Sequence, residues 1–425
     1  MKEHSVQTKI VFILLVVILC LAARPASADR VLIYMDLEQT DHLKAYGVAY
    51  WCLERGYNVE WLLNFRGGSF MTDATDEIAA LCRLRGVAFE VIGGAQIAGI
   101  YGQIEENNME VVLLEKAPSI AIYTPPSAEP WDDAVTLALT YAEIPYTTLW
   151  DEEVLLGDLE EYDWLHLHHE DFTGQFGKFI TFRNQEWYQR QKIESEAMAR
   201  KVGIAKVPEE KKAVVKMIKD YVVRGGFLFA MCCAPNTMDI ALAAEGVDVV
   251  PTEYDGDPAD ADCQARLDFS KTFAFENFVL ETNPYFSPFA NIDVNRVNTP
   301  ARRKALDFAL FDFSAKYDPV PTMLVQNHVA YIKGYYGLLT SFNKEVIKKS
   351  VTILAEVPGK NRAKYIHGNL GRGTFTFLGG HDPEDYEHAI GDPPTRLSLH
   401  KNSPGYRLIL NNILFPAAKK RERKT

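Results

Sequence analysis

Apolar residues in the first part of the chain alternate between short continuous runs and longer segments with helical spacing. The runs are typical of strands, and the segments with helical spacing are typical of helices. In chain order the pattern predicts a strand at 30–36, a helix at 43–55, a strand at 58–65, a helix at 73–85 and a strand at 87–92. This order predicts a βαβ opening and a small α/β unit over residues 29–115.

A second alternating series begins near residue 117. It predicts strands at 119–123, 145–149, 162–169 and 227–231, helices at 132–142, 184–202 and 209–224, and a helix from Thr237. Residues 250–318 lack periodicity and are interpreted as an irregular insertion, after which strands resume at 322–332 and a last helix covers 404–414. The order predicts a doubly wound, mainly parallel sheet over 117–418, with Cys232 and Cys233 at the edge where such sheets bind ligands.

The first 28 residues have the three parts of a secretory signal peptide. Lys2 and Lys9 precede an apolar run over 10–23, and Ala-Ser-Ala closes the segment at Ala28. We therefore expect a mature chain that begins at Asp29 in the periplasm or outside the cell, without a stable membrane anchor. The KKRERKT segment over 419–425 is interpreted as a solvated basic tail.

Charge and motif content exclude several classes of protein. The net charge is −12 and becomes −14 when the three basic residues and one acidic residue of the first 28 are removed, which disfavours a nucleic-acid partner. No GxGxxG follows the first strand and no CxxC pair occurs, so a dinucleotide site, a zinc ribbon and a thioredoxin-like motif lack support. No cofactor is predicted.

Two segments carry residues suited to nucleophilic catalysis. The apolar run 227–231 ends at Cys232 and Cys233, where a turn would expose a sulfur and a following helix would favour its thiolate. The run 373–380 delivers His381 beside Asp382 and Glu384, which can supply a base and an orienting acid. The alternatives are that the cysteines pack as small apolar residues and that the histidine only begins a polar loop.

A third cluster lies in the segment HLHHED. On a strand His166 and His168 share one face while His169 projects to the other, so two imidazoles could bind a metal together with Glu170 or Asp171. The same residues could instead border the cysteine site, or satisfy loop backbone groups.

The element order from Ser119 onward resembles the class I glutamine amidotransferase-like superfamily, including its ThuA-like branch. The resemblance is carried by the stretches IAIY, EYDWLHLHH, FLFAMCCA and GRGTFTFLGGH. It implies a flavodoxin-like sheet with Cys232 as nucleophile, His381 as base, and Glu384 or Asp382 as the acid of a triad. Ala230 and Ala234 stand where the glutaminases have glycines. In the ThuA-like branch the Gly-His motif persists without an established cysteine nucleophile.

Secreted chains of this type are sometimes labelled asparagine synthetase B. Synthetases of that kind carry an N-terminal cysteine nucleophile and an SGGxDS loop, and neither is present here. The resemblance instead implies an amidotransferase-like or hydrolase-like protein that acts on a small amide, ester or glycan-derived substrate. The residues expected to line its substrate site are His168, His169, Glu170, Asp171 and Cys233. The alternatives are a non-catalytic binding module for a carbohydrate or cell-wall ligand, and a metal-dependent site at HLHHED.

Overall fold

The structure is a computed structural model that describes residues 29–126, 133–293, 305–337, 339–384 and 393–418. The expected signal peptide and basic tail lie outside the described residues. Within these ranges no helix combines the length and the apolar composition needed to cross a membrane.

The N-terminal unit is a sheet with helices. Its elements are β1 (Arg30–Ile33), α1 (His42–Glu54), β2 (Val59–Leu63), β3 (Ser69–Asp73), α2 (Asp76–Arg85), β4 (Phe89–Ile92), α3 (Gly94–Glu106) and β5 (Glu110–Leu114). The strand order is β4-β1-β3-β2-β5.

Every pair of neighbouring strands in this sheet is antiparallel. The predicted βαβ opening is therefore modified, because the unpredicted strand β3 lies between β1 and β2. The turn from β2 to β3 passes through Gly67 and Gly68, whose φ values of 76° and 87° belong to the left-handed region that glycine enters freely. The tight turn returns β3 alongside β2.

The larger sheet is built from the rest of the chain. Its elements are β6 (Ile120–Tyr123), α4 (Ala134–Ala142), β7 (Thr147–Leu149), α5 (Asp151–Leu156), β8 (Trp164–Leu167), α6 (Glu186–Lys201), α7 (Val207–Arg224), β9 (Phe227–Met231), α8 (Ala234–Ala243), α9 (Thr252–Asp255), β10 (Leu306–Leu310), α10 (Pro319–Leu324), β11 (Tyr331–Tyr336), β12 (Phe342–Asn343), β13 (Thr352–Glu356), β14 (Arg362–Leu370), β15 (Gly373–Leu378), β16 (Asp382–Pro383) and α11 (Pro404–Leu414). The chain is thus a mixed α/β protein, as the sequence predicts.

This sheet has a parallel half and an antiparallel half. The order is β16-β11-β10-β13-β14-β15-β9-β8-β6-β7, with β12 paired to β14. The pairs that join β15, β9, β8, β6 and β7 to one another are parallel. The pairs that lead from β15 through β14 to β16 are antiparallel. The sheet is therefore mixed rather than mainly parallel.

Alternate residues of the parallel strands pack into two different cores. In β6, Ile120 and Ile122 join a core that includes α1, α4 and α11, whereas Ala121 and Tyr123 join a core that includes α7 and α8. Because both faces are covered, all four residues of β6 are buried. The apolar runs of the sequence are therefore strands that are buried on both faces.

The strand predicted at 322–332 is wrong in its first part. Residues Pro319–Leu324 form α10, with proline at the start of the helix where its missing N–H has no cost. The strand β11 begins only at Tyr331. In addition, β10 lies within the range expected to be irregular and is an interior strand of the sheet.

The two sheets share one apolar core through α11. Arg407 of this helix is fully buried. It donates from Nη1 to Met35 O at 2.7 Å, from Nη2 to Gly67 O, and from Nε to Tyr46 Oη at 3.0 Å. The N-terminal unit is therefore joined to the larger sheet by buried hydrogen bonds as well as by apolar packing.

Candidate active site

Neighbouring parallel strands end at one edge of the larger sheet, and ionisable residues follow three of them. His168 follows β8, Cys232 follows β9, and His381 lies three residues beyond β15. The three strands are adjacent and parallel, so their carboxyl ends bring these residues together. The ring centroids of His168 and His381 are 4.9 Å apart.

Cys232 forms the turn between β9 and α8. Its φ of 54° lies in the left-handed region, which costs a residue with a Cβ on the order of 1–3 kcal/mol. The Cys232 N–H donates to Leu378 O at 3.1 Å and ties the turn to the end of β15. Ala230 and Ala234 are both fully buried, so the turn forms with alanine at the positions where the resembled family has glycine.

The side chains of Cys232, His381 and Asp382 form a continuous polar series. The Cys232 sulfur and the His381 imidazole are hydrogen-bonded, and His381 Nδ1 lies 2.6 Å from Asp382 Oδ2. All three side chains are buried. Because Nδ1 faces the carboxylate, Nε2 is the ring nitrogen that remains for the sulfur.

The electrostatics of this series favour a thiolate beside an imidazolium. Burial raises the pKa of the Cys232 thiol, but hydrogen bonds from Cys233 and His381 and the charge of His381 hold that pKa well below its usual range. Burial lowers the pKa of His381, but the charges of Asp382 and Cys232 raise it well above its usual value. The thiolate is the nucleophilic form of cysteine, so the arrangement is suited to nucleophilic attack.

Gly379 and Gly380 allow a second backbone segment to approach the site. A Cβ on Gly379 would lie 2.6 Å from Thr340 O, which is closer than real Cβ contacts. A Cβ on Gly380, whose φ is 82°, would lie 2.6 Å from Tyr336 O. The two positions before His381 therefore require glycine, because a side chain at either one would collide with a backbone oxygen.

Backbone hydrogen bonds hold this second segment against the site. Gly380 N–H donates to Leu339 O at 2.7 Å, and His381 N–H donates to Tyr336 O at 2.8 Å. The Leu339 N–H in turn donates to the Cys232 sulfur, which also lowers the pKa of the thiol. The segment thus supplies a donor to the thiolate.

Glu384, the other candidate for the acid of the triad, contacts a different histidine. Its Oε2 lies 3.5 Å from His400 Nδ1. The short strand β16 pairs Asp382 with Tyr336 and so keeps Asp382 beside His381. Of the two expected carboxylates, the structure brings only Asp382 to the imidazole.

His168 and His169 both lie next to His381. The ring centroids of His169 and His381 are 6.0 Å apart, and the Nδ1 atoms of His168 and His169 are 3.0 Å apart. The strand β8 ends at Leu167, so these histidines belong to the loop that follows it and do not alternate as strand residues. The expectation that His168 and His169 face opposite sides of the sheet is therefore wrong.

His166 is an interior residue of the sheet. Its Nδ1 contacts Phe229 O at 3.2 Å, and its Nε2 lies 3.2 Å from Asp133 Oδ2. Asp133 also lies 3.9 Å from His168 Nδ1 and caps α4 by accepting from Val135 N–H at 2.7 Å. Asp133 is a site residue that sequence reasoning missed, because a helix cap has no local mark of function.

The side chains of Asp171 and Cys233 contact backbone groups of neighbouring loops. The carboxyl group of Glu170 borders the candidate site. Asp171 accepts from two backbone N–H groups of the following turn, at 2.8 and 2.9 Å. The Cys233 sulfur lies 2.8 Å from His169 O. Burial raises the pKa of Glu170 to about 7, so this carboxyl group changes charge near neutral pH.

Three donor groups at the site could in principle hold a metal ion. Each of His168, His381 and Asp382 offers one atom, and these atoms lie within 4.8 Å of one another. The 2.6 Å separation between His381 Nδ1 and Asp382 Oδ2 instead makes these two groups a close ion pair.

Lys364 is a further residue that sequence reasoning missed. It lies in β14, its side chain is fully buried, and its Nζ donates to Thr340 O at 2.8 Å. A lysine within the apolar run AKYIHG is the only signal that the sequence offers.

No protein-family model matches the chain, and no curated protein matches it. Among solved structures, the chain is similar to the cytoplasmic protein STM3548 from Salmonella typhimurium, with 10% identity, a TM-score of 0.32, and coverage of 71% of this chain and 100% of that chain. The cytoplasmic protein STM1381 from Salmonella typhimurium LT2 has 13% identity, a TM-score of 0.32 and the same coverage. A β-galactosidase from Bacillus circulans sp. alkalophilus has 10% identity and a TM-score of 0.28 over 64% of this chain and 29% of that chain. These scores support no inference about function.

Proposed function

We propose that the protein is a cysteine-dependent hydrolase or amidotransferase-like enzyme that acts on a small amide, ester or glycan-derived substrate. The observation that carries this proposal is Cys232, which combines a left-handed turn at a sheet edge with a hydrogen bond to the His381–Asp382 pair. A strained turn, a buried imidazole and an orienting carboxylate are together the requirements of an activated nucleophile.

In the proposed reaction the Cys232 thiolate attacks the carbonyl carbon of the substrate. The carbonyl π electrons move to oxygen, and backbone N–H groups at the start of α8 stabilise the oxyanion. His381 then donates its Nε2 proton to the leaving amine or alcohol as the C–N or C–O bond breaks. The product of this half-reaction is a thioester on Cys232.

Water completes the proposed cycle. His381, now neutral, accepts a proton from water as the water oxygen attacks the thioester carbon. The C–S bond breaks, the acid is released, and the sulfur leaves as the thiolate beside the re-formed imidazolium. Asp382 stabilises the imidazolium and holds its Nδ1 in place throughout.

The strand order supports a finer assignment of the fold. The five parallel strands run β7-β6-β8-β9-β15 across the sheet, which is the order 2-1-3-4-5 when they are numbered along the chain. Flavodoxin-like sheets have this order. On this basis we propose that residues 117–418 form a doubly wound unit with an antiparallel extension. The sequence resemblance supports the further proposal that this unit is of the class I glutamine amidotransferase-like type, close to the ThuA-like branch.

The expected location and partners follow from the sequence. We propose that residues 1–28 direct export, so that the enzyme acts on small molecules outside the cytoplasm. The negative net charge disfavours nucleic acid.

The test is turnover of a panel of amide, ester and amino-sugar substrates by wild-type protein and by Cys232→Ser. The matched control is Cys263→Ser, which changes another buried free cysteine outside the site. We expect Cys232→Ser to abolish turnover with the fold intact, and Cys263→Ser to retain it. Equal turnover by wild type and Cys232→Ser would reject the mechanism. A Cys232 that stays inert to iodoacetamide in the folded protein would favour the non-catalytic binding module.

A further inference from the structure

Lys364 has an environment that is rare for a lysine. Fully buried lysines usually pair with a carboxylate, and none among the described residues forms an ion pair with Lys364. Its Nζ donates instead to Thr340 O at 2.8 Å. The side chain is as buried as the apolar residues around it, so the charge requires another compensating partner.

Two contacts place this ammonium group beside the candidate active site. Its Nζ lies 3.1 Å from the position that a Cβ on Gly380 would take, and Gly380 directly precedes His381. Its acceptor Thr340 directly follows Leu339, whose N–H donates to the Cys232 sulfur. The negative charge of Cys232 raises the pKa of Lys364 against the effect of burial.

Aromatic rings make the pocket tolerant of a cation. The Nζ lies 4.8 Å from the centroid of the Tyr335 ring and 5.5 Å from that of Phe308. Ring faces attract a desolvated ammonium. Burial lowers the pKa of Lys364 to about 7, and the charge of Cys232 opposes that effect.

We propose that Lys364 is a positioning residue that acts on Cys232. The buried ammonium of Lys364 holds the Cys232 sulfur in its thiolate form before substrate arrives. It does not touch the substrate and acts through the sulfur. The inference rests on the proposed function, because a stabilised thiolate has a purpose only if Cys232 attacks a substrate.

Among the described residues, ionisable groups near this ammonium include His381 and Asp382 from the segment after β15 and Tyr335 from β11. Burial raises the pKa of Tyr335 well above its usual value, so it stays neutral. His381 and Asp382 form the ion pair already described. Replacing Lys364 therefore removes one positive charge and leaves these three groups in place.

The first experiment measures how the alkylation rate of Cys232 depends on pH in wild type, Lys364→Gln and Lys364→Arg. Glutamine can still donate to Thr340 O but carries no charge, whereas arginine keeps the charge. The control is Lys178→Gln, which removes another buried lysine whose acceptors include the backbone carbonyls Glu281 O at 2.6 Å and Pro288 O at 3.0 Å.

We expect Lys364→Gln to raise the pH midpoint of Cys232 alkylation by about one unit, which slows alkylation about tenfold below the midpoint. Lys364→Arg and Lys178→Gln should keep the wild-type midpoint. An unchanged midpoint in folded Lys364→Gln overturns this inference and leaves the proposed function standing. A wild-type midpoint in the ordinary range of cysteine overturns both.

A second measurement does not depend on the folding of any Lys364 variant. In protein labelled with ¹³C-lysine, the Lys364 signal is titrated by NMR in wild type and in Cys232→Ser. Linkage is reciprocal, so a thiolate that is stabilised by the ammonium must raise the lysine pKa by the same amount. We expect the Lys364 midpoint to be about one unit lower in Cys232→Ser. Equal midpoints would reject the coupling.

Discussion

His381 Nδ1 lies 2.6 Å from Asp382 Oδ2, so two consecutive residues supply the base and its carboxylate partner. Gly380, with φ of 82°, turns the chain where it leaves β15, and the pairing of Asp382 with Tyr336 in β16 holds the carboxylate beside the imidazole. Asp382 therefore contacts the imidazole of His381, whereas Glu384, two residues later, contacts His400.

The substitution Asp382→Asn should slow alkylation of Cys232 by iodoacetamide at neutral pH by at least about tenfold, because loss of the carboxylate removes a charge that stabilises the imidazolium. Glu384→Gln should leave the rate unchanged, since Glu384 contacts His400. Pseudo-first-order rates followed by mass spectrometry measure both. A larger effect of Glu384→Gln than of Asp382→Asn would contradict the assignment.

Reactivity of the cysteines should differ strongly with pH. A thiolate exists above its pKa, so the lowered pKa of Cys232 keeps the residue reactive as pH falls below the usual range, and reactivity is lost only when pH falls through the lowered value. Burial raises the pKa of Cys52 and Cys82 to about 12. Peptide mapping after alkylation at pH 7 should find label on Cys232 and none on these two. Label on Cys52 ahead of Cys232 would argue against the low thiol pKa.

Gly380→Ala should destabilise the protein much more than Gly359→Ala. Both glycines have left-handed φ values, 82° and 69°, so both substitutions incur the same strain of about 1–2 kcal/mol. A Cβ at position 359 meets no atom within 4 Å, whereas one at 380 would meet Tyr336 O at 2.6 Å. We expect a total cost of about 3 kcal/mol or more for Gly380→Ala in denaturant unfolding, together with slower alkylation of Cys232. Equal costs would show that the close approach is relaxed in solution.

Two carboxylates, those of Asp151 and Glu210, lie near the buried ammonium of Lys211. Removing the charge of one should affect stability differently from removing the charge of the other. Asp151 Oδ2 lies 2.5 Å from Lys211 Nζ, whereas Glu210 Oε2 lies 3.7 Å away. Burial raises the pKa of Glu210 to about 8, so one proton remains on this pair at neutral pH. Asp151→Asn should cost about 3 kcal/mol, because Lys211 loses its close partner.

The substitution Glu210→Gln should change how the free energy of unfolding depends on pH. Between pH 4.5 and 8 folded Glu210 binds more protons than the unfolded residue, so its contribution to stability falls as pH rises through that window. The free energy of unfolding of Glu210→Gln, relative to wild type, should therefore increase by at least about 1 kcal/mol from pH 4.5 to 8. Urea unfolding at both pH values measures it, and a decrease would contradict the raised pKa.

Asp239 should anchor the segment that follows α9. Its buried carboxylate accepts from the backbone N–H groups of Phe273, Ala274 and Phe275 at 2.7, 2.8 and 2.9 Å. Asp239→Ala leaves these donors unpaired and should cost about 3 kcal/mol, with faster proteolysis between residues 250 and 293. Asp268→Ala, which changes an exposed aspartate in the same region, is the control and should have a much smaller effect.

Local signals in the sequence were sufficient for several elements and for the class of the fold. The strand β9 and the helix α11 have the predicted bounds. The first follows a Gly-Gly break. The second begins at Pro404 after Ser403, whose side chain accepts from Tyr406 N–H. The mixed α/β class also follows from alternation of strands and helices, because such signals act over a few residues.

Only the tertiary structure decided which strands pair and which side chains meet. The pairings of β1 with β3, of β10 with β13 and of β11 with β16 join strands that are distant in sequence, and short apolar runs do not encode them. The choice of Asp382 over Glu384 depends on the pairing of β16 with β11. The position of Lys364 beside Gly380 depends on the register of β14 against β15. Hydrophobic pattern determines that a segment is buried, whereas the neighbours of a buried side chain depend on packing between segments far apart in the chain.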